Sequence, residues 1–110
     1  MKLRKISYFL TLCEERSFTR AARRCGVAQP SLTRAIQLLE QDVGGRLFER
    51  SNSSVCLTEL GILLQPHFEA INCAAETIRR TAAEFSETRT VVEETPVRSY
   101  RLTLALEDSF

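Results

Sequence analysis

The chain has 110 residues, 44% hydrophobic and 26% charged, a balance that rules out wholesale disorder and leaves room for one modest core. No apolar run approaches the roughly 20 residues of a membrane span, and no small-residue cleavage site follows the first apolar stretch, so a cytoplasmic location without a membrane partner is expected. The net charge of +1 hides an asymmetry: residues 1–58 carry ten basic against five acidic side chains, the remainder five against nine, which makes the first half the candidate for a polyanionic partner.

Leu3, Ile6, Phe9, Leu10 and Cys13 recur at the spacing of one helical face and predict a first helix from about Leu3 to Glu15. Ser17 then offers a capping oxygen to a short second helix in which Phe18, Ala21, Ala22 and Cys25 face inward. Two alanines on that face imply a close crossing with a neighbour. Gly26 suits the positive φ of a helix end, and Val27 can plug the gap to the next element.

The third helix starts near Gln29, because proline is tolerated only in a first turn and Pro30 stands there. It runs to about Val43 with Leu32, Ala35, Ile36, Leu39 and Val43 inward, and stops at Gly44 and Gly45. Two helices joined by a short glycine-containing turn form a helix-turn-helix pattern. "RLFERSNSSVCLT" then reads as a hairpin, with strands Leu47 to Glu49 and Val55 to Leu57 around a polar tip, Ser51 to Ser54.

Thr58 can cap a fourth, long helix reaching to near Ser86, with Leu60, Leu64, Phe68, Ile71, Ala75, Ile78, Ala82 and Phe85 forming a heptad-like seam and Pro66 expected to kink it. At roughly 40 Å such a helix outreaches the domain, so a second copy of it is the simplest cover for the rest of the seam. "SETRTVVEETPVRS" looks like a linker, and "YRLTLAL" alternates as a single strand would.

Cys13, Cys25, Cys56 and Cys73 are widely spaced, and His67 cannot complete a zinc site of usual spacing, so neither metal nor cofactor is expected. With one histidine and no glycine-rich phosphate loop, an enzyme is not expected either. A nucleic-acid reader instead needs a helix whose first turn projects short polar and forked side chains backed by basic residues. Gln29, Ser31, Thr33 and Arg34 hold those positions. Arg34 can fork onto guanine O6 and N7, Gln29 can pair with adenine, Thr33 can offer a hydroxyl or a methyl, and Pro30 can give apolar contact. Ser31 reads equally as a solvated surface residue. Arg50 can meet phosphate or the minor groove, or bridge to Glu49 or Asp42.

"SFTRAARRCGVAQPSLTRAIQLLEQDVGGRLFER" and "LTELGILLQPHF" resemble the LysR-type transcriptional regulators, over about residues 3 to 86. The resemblance implies a mainly α fold: a winged helix-turn-helix DNA-binding domain at 1–58, a linker or dimerisation helix at 59–87, and a hinge with the opening of an effector-binding domain at 88–110. It also implies a homodimer through the linker helix, a partly palindromic double-stranded DNA site, and DNA contacts at Gln29, Pro30, Ser31, Thr33, Arg34 and Arg50. Three departures stand out. Ala28 replaces the Ser or Thr common at the recognition-helix cap, Ser53 and Ser54 replace a basic wing tip, and no effector domain follows. The chain is therefore expected to be a fragment or truncated product that dimerises and binds DNA without binding a small-molecule effector. The competing reading is a dimerisation module, a dominant-negative partner of a full-length relative, with little DNA affinity of its own.

Overall fold

The computed structural model describes residues 1–51 and 54–89. Its elements are α1 (Leu3–Glu15), α2 (Phe18–Cys25), α3 (Gln29–Val43), β1 (Phe48–Arg50), β2 (Val55–Leu57) and α4 (Glu59–Arg89). Contacts divide the chain inside α4, into a first unit Met1–Thr77 and a second beginning at Ile78. The expected linker begins at Ser86, but Ser86 to Arg89 continue α4; its remainder from Thr90, Asn52 and Ser53 of the expected wing tip, and the strand-like "YRLTLAL" lie outside the described residues.

Within the first unit, α1, α2 and α3 pack around Ile6, Phe9, Leu12, Ala21, Leu32, Ile36 and Leu39, all buried. Each large side chain so buried contributes about 1.5–3 kcal/mol relative to exposure. Leu12, fully buried, replaces the expected Leu3, which is 48% exposed, while Leu10 and Cys13 sit half-buried on the flank. Leu12 lies one helical step of three beyond Phe9 and shares its face, whereas Leu3 precedes the first covered turn. The Phe9 ring joins three elements, meeting Phe48 of β1 at 5.2 Å and Phe68 of α4 at 4.9 Å in an edge-on arrangement.

Local chemistry sets the helix ends. α1 closes on Arg16 in the left-handed region (φ 54°), whose N–H bonds to the Leu12 carbonyl. The Ser17 side chain accepts from the Arg20 N–H and caps α2. At the other end of α2, Gly26 takes φ 71° and the Val27 N–H reaches back to the Ala22 carbonyl at 3.0 Å, a tight stop that turns the chain into α3.

The hairpin strands are antiparallel, pairing Phe48 with Leu57 and Arg50 with Val55. β1 starts and ends one residue later than the spacing predicts, because Leu47 leaves the ladder to enter the core, fully buried. Thr58 starts α4: its hydroxyl accepts from the Gly61 N–H and donates to the Arg46 carbonyl, while its own N–H bonds the Leu47 carbonyl. α4 runs unbroken through Pro66. The carbonyl that proline leaves without a donor belongs to Ile62, an exposed residue where water can serve.

Candidate nucleic-acid interface

Helix α3 begins at Gln29 with Pro30 in its first turn, and Ala28 gives no side-chain cap. The missing cap leaves little unsatisfied. A cap serves the second or third N–H of the helix; Pro30 has none, and the Ser31 N–H already bonds the Ala28 carbonyl at 3.0 Å. Gln29, Pro30, Ser31 and Arg34 are exposed and Thr33 is half-buried, while Leu32 among them is fully buried and anchors the turn to the core. Gln29, Pro30, Thr33, Arg34 and Gln37 line one open hollow on the outer face of α3. Gln37, which reading from the first turn alone missed, follows Thr33 by four residues and Arg34 by three. One bond reaches this turn from another element: the Thr19 hydroxyl of α2 donates to Gln29 Oε1 at 3.0 Å.

Thr33 and Gln37 also line a second hollow, shared with Phe18, Ile36, Glu40, Arg46, Phe48 and Arg50. The reading turn therefore borders the wing directly. Arg50 bridges to neither Glu49 nor Asp42, the alternative to a nucleic-acid contact; its guanidinium stacks over the Phe18 ring at 4.2 Å, and Asp42 faces the Met1 amino group at 3.5 Å. A guanidinium stacked on an aromatic face keeps its in-plane N–H donors available.

The wing is tied to α3 by Glu40. Its Oε2 accepts from the Leu47 N–H at 2.7 Å and lies 3.4 Å from the Phe48 N–H, so the strand carrying Arg50 hangs from α3. Nothing in the spacing marks Glu40, whose partner is backbone beyond the glycine turn.

The charge asymmetry narrows in three dimensions. Arg24 bonds Glu14 at 2.6 Å and Glu15 at 3.0 Å, and Arg20 meets Glu15 through both its carboxylate and its carbonyl. The hydrogen bond that Arg24 donates to Glu14, then that to Glu15, strengthens its hold on its proton. These two arginines are engaged with acids, whereas Arg34 lines the first hollow and Arg46 and Arg50 line the second, Arg46 donating to the Phe48 carbonyl at 3.3 Å. Among the described residues no cluster of histidine, cysteine and carboxylate side chains could hold a metal ion. The four cysteines are free thiols, Cys13 and Cys25 half-buried, Cys56 and Cys73 exposed. Burial, then Glu69 and Glu14, pushes the Cys13 thiol up to about 12.

The seam expected for dimerisation divides. In the first unit Phe68 enters the core and Leu60 and Leu64 pack against it, so these three are engaged within their own domain, while Ala75 is buried outside that core. Ile71 is exposed, as are Ile62 and Leu63, which the heptad reading passed over because they lie off its face. In the second unit Ile78, Ala82 and Phe85 are exposed.

A short glycine-stopped α2, a recognition-type α3 and a two-stranded wing in this order are matched by the family described as bacterial regulatory helix-turn-helix protein, lysR family, over residues 3–62. The chain belongs to this family. Among curated relatives, the probable cat1 operon transcriptional activator of Acinetobacter lwoffii is 51% identical over 63 residues, which are 57% of this chain and 21% of that protein. The HTH-type transcriptional regulator TfdT of Cupriavidus pinatubonensis is 37% identical over 102 residues, 88% of this chain and 45% of its own. The chain thus spans less than half the length of these two relatives. Among solved structures, the BenM DNA-binding domain in complex with catB site 1 DNA superposes with a TM-score of 0.73 at 32% identity, over 78% of this chain and 97% of that one. No helix among the described residues is long and apolar enough to cross a membrane.

Proposed function

We propose that this chain acts in transcriptional regulation by binding double-stranded DNA as a homodimer, α3 of each copy reading one half of a partly palindromic site; its part is binding, with no catalytic step. The observation that carries this reading is the first turn of α3. Gln29, Pro30, Ser31 and Arg34 stand exposed on a helix whose other face is fully engaged, beside a wing arginine held on an aromatic ring. Arg34 and Gln29 supply base contacts, Thr33, Ser31 and Pro30 the surrounding fit, and Arg50 a phosphate or minor-groove contact. The complex of the related BenM domain with DNA supports the same use of the fold.

For the dimer, the exposed apolar residues of α4 are the candidates: Ile62, Leu63 and Ile71, with Ile78 and Ala82 further along. Ala75 belongs to the same seam, whereas Leu60, Leu64 and Phe68 act there indirectly, by holding the helix to its domain. A division of labour follows for DNA. Arg34→Ala is expected to cost about 1–3 kcal/mol on the selected site and relax one base position, while Arg50→Ala weakens every sequence alike. Anisotropy titrations on cognate and scrambled duplexes check both, and equal losses on the two duplexes for both variants contradict the assignment. Sedimentation equilibrium of Leu63→Glu tests the dimer, which persists unchanged if α4 is not its interface.

A further inference from the structure

The Thr19 to Gln29 bond joins the two helices of the motif on the exposed side of the first turn of α3. Neither residue needs it for folding: both are exposed, α2 is already capped by Ser17, and α3 starts at Gln29 with Pro30 in its first turn. Thr19 is β-branched and lies in a helix, so few χ1 states are open to it and the backbone largely sets where its hydroxyl points. Gln29, by contrast, is a flexible side chain whose ordering on a base edge costs binding free energy unless it is held beforehand.

Resting on the DNA-reading function above, we propose that Thr19 is a positioning residue for base recognition by Gln29. Its hydroxyl holds Oε1, which fixes the amide plane and leaves Nε2 as the donor offered to the major groove. The base class follows from that donor. Purine N7 and thymine O4 accept from it, whereas cytosine presents only its N4 donor on that edge. The site is therefore expected to discriminate against cytosine at one position in each half.

The test is enrichment of a random duplex pool by the whole chain, compared for the unaltered protein and Thr19→Val, Thr19→Ser and Gln29→Ala, with circular dichroism to establish that each folds. The unaltered chain and Thr19→Ser are expected to disfavour cytosine at that position by about tenfold. Thr19→Val keeps the side-chain shape and removes the hydroxyl, so it is expected to lose most of that preference while the other positions keep theirs. If Thr19→Val weakens all sequences equally and leaves the profile intact, its hydroxyl serves phosphate or scaffold and the proposal falls while the DNA reading stands. If Gln29→Ala leaves the profile intact, Gln29 reads no base, and the proposal falls together with that part of the function.

Discussion

The two ends of α3 are built on opposite terms. At its start the polar side chains project into open hollows, the cap is absent, and besides the buried Leu32 the bond from Thr19 ties the turn to another element. At its far end the chain is fastened on every side: Glu40 holds the Leu47 N–H, Thr58 bonds the Leu47 carbonyl, the Leu47 side chain is fully buried, and Gly61 presses against the same carbonyl. Packing is concentrated where the wing and α4 must be oriented, and the reading turn is left to chemistry rather than to stability. Substitutions at the two ends should then separate into those that change folding and those that change recognition.

The largest effect is expected at Gly61. A Cβ there would collide with the Leu47 carbonyl oxygen and lie 2.8 Å from Leu57 Cδ2, and backbone cannot move aside cheaply. Gly61→Ala should cost about 3 kcal/mol by urea denaturation, the upper end of ordinary overpacking. A loss below about 0.5 kcal/mol would place that variant among neutral surface changes and erase the contrast between the two ends.

Glu40→Ala comes next. It leaves the half-buried Leu47 N–H without its charged acceptor, for about 1.5–3 kcal/mol. Because the wing hangs from this bond, its loss should also weaken DNA binding on all sequences, as Arg50→Ala does. A Glu40→Ala variant of undiminished stability and full DNA affinity would mean the wing is oriented by the core alone.

Ala28→Ser sharpens the comparison from the other side. Restoring a cap residue often gains up to about 2 kcal/mol, but with Pro30 lacking an N–H and the Ser31 N–H already bonded, about 0.5 kcal/mol is expected here. A full 2 kcal/mol gain would mean that the first turn is strained.

Thiol labelling has the smallest effect on the protein and reads the same division through solvent access. Raised to about 12, the Cys13 thiol stays protonated at pH 8, so alkylation followed by mass spectrometry should modify exposed Cys56 and Cys73 and spare Cys13. Modification of Cys13 at the rate of Cys73 would show that the packed face opens.

What the sequence revealed and what it hid follow the same line. Helices α1, α2 and α3 were legible to the residue, since apolar spacing, Ser17, Gly26, Pro30 and Gly44 are local signals. Leu12 was passed over because two residues, three and four steps beyond Phe9, compete for one face, and only tertiary packing chooses between them. The seam of α4 was visible, but its partner was not: Phe68 and Leu64 could meet a second copy or their own core, and periodicity is blind to the difference. Of the candidate interface, Gln29, Thr33 and Arg34 were readable from their place in a first turn. The bonds that hold the interface were not, because Thr19 with Gln29, Glu40 with Leu47, and Phe18 with Arg50 are each joined across separate elements.

The central claim is that the exposed first turn of α3, paired through a dimer, reads a two-part site in duplex DNA. It is tested most directly by selecting duplexes from a random pool with the purified chain and measuring anisotropy of the enriched sequence across a salt series. The account predicts an inverted repeat and an affinity that falls steeply as salt rises, since each phosphate contact releases counterions. An unenriched pool with weak binding even at low salt would contradict it and leave a dimerisation module in the shape of a DNA reader.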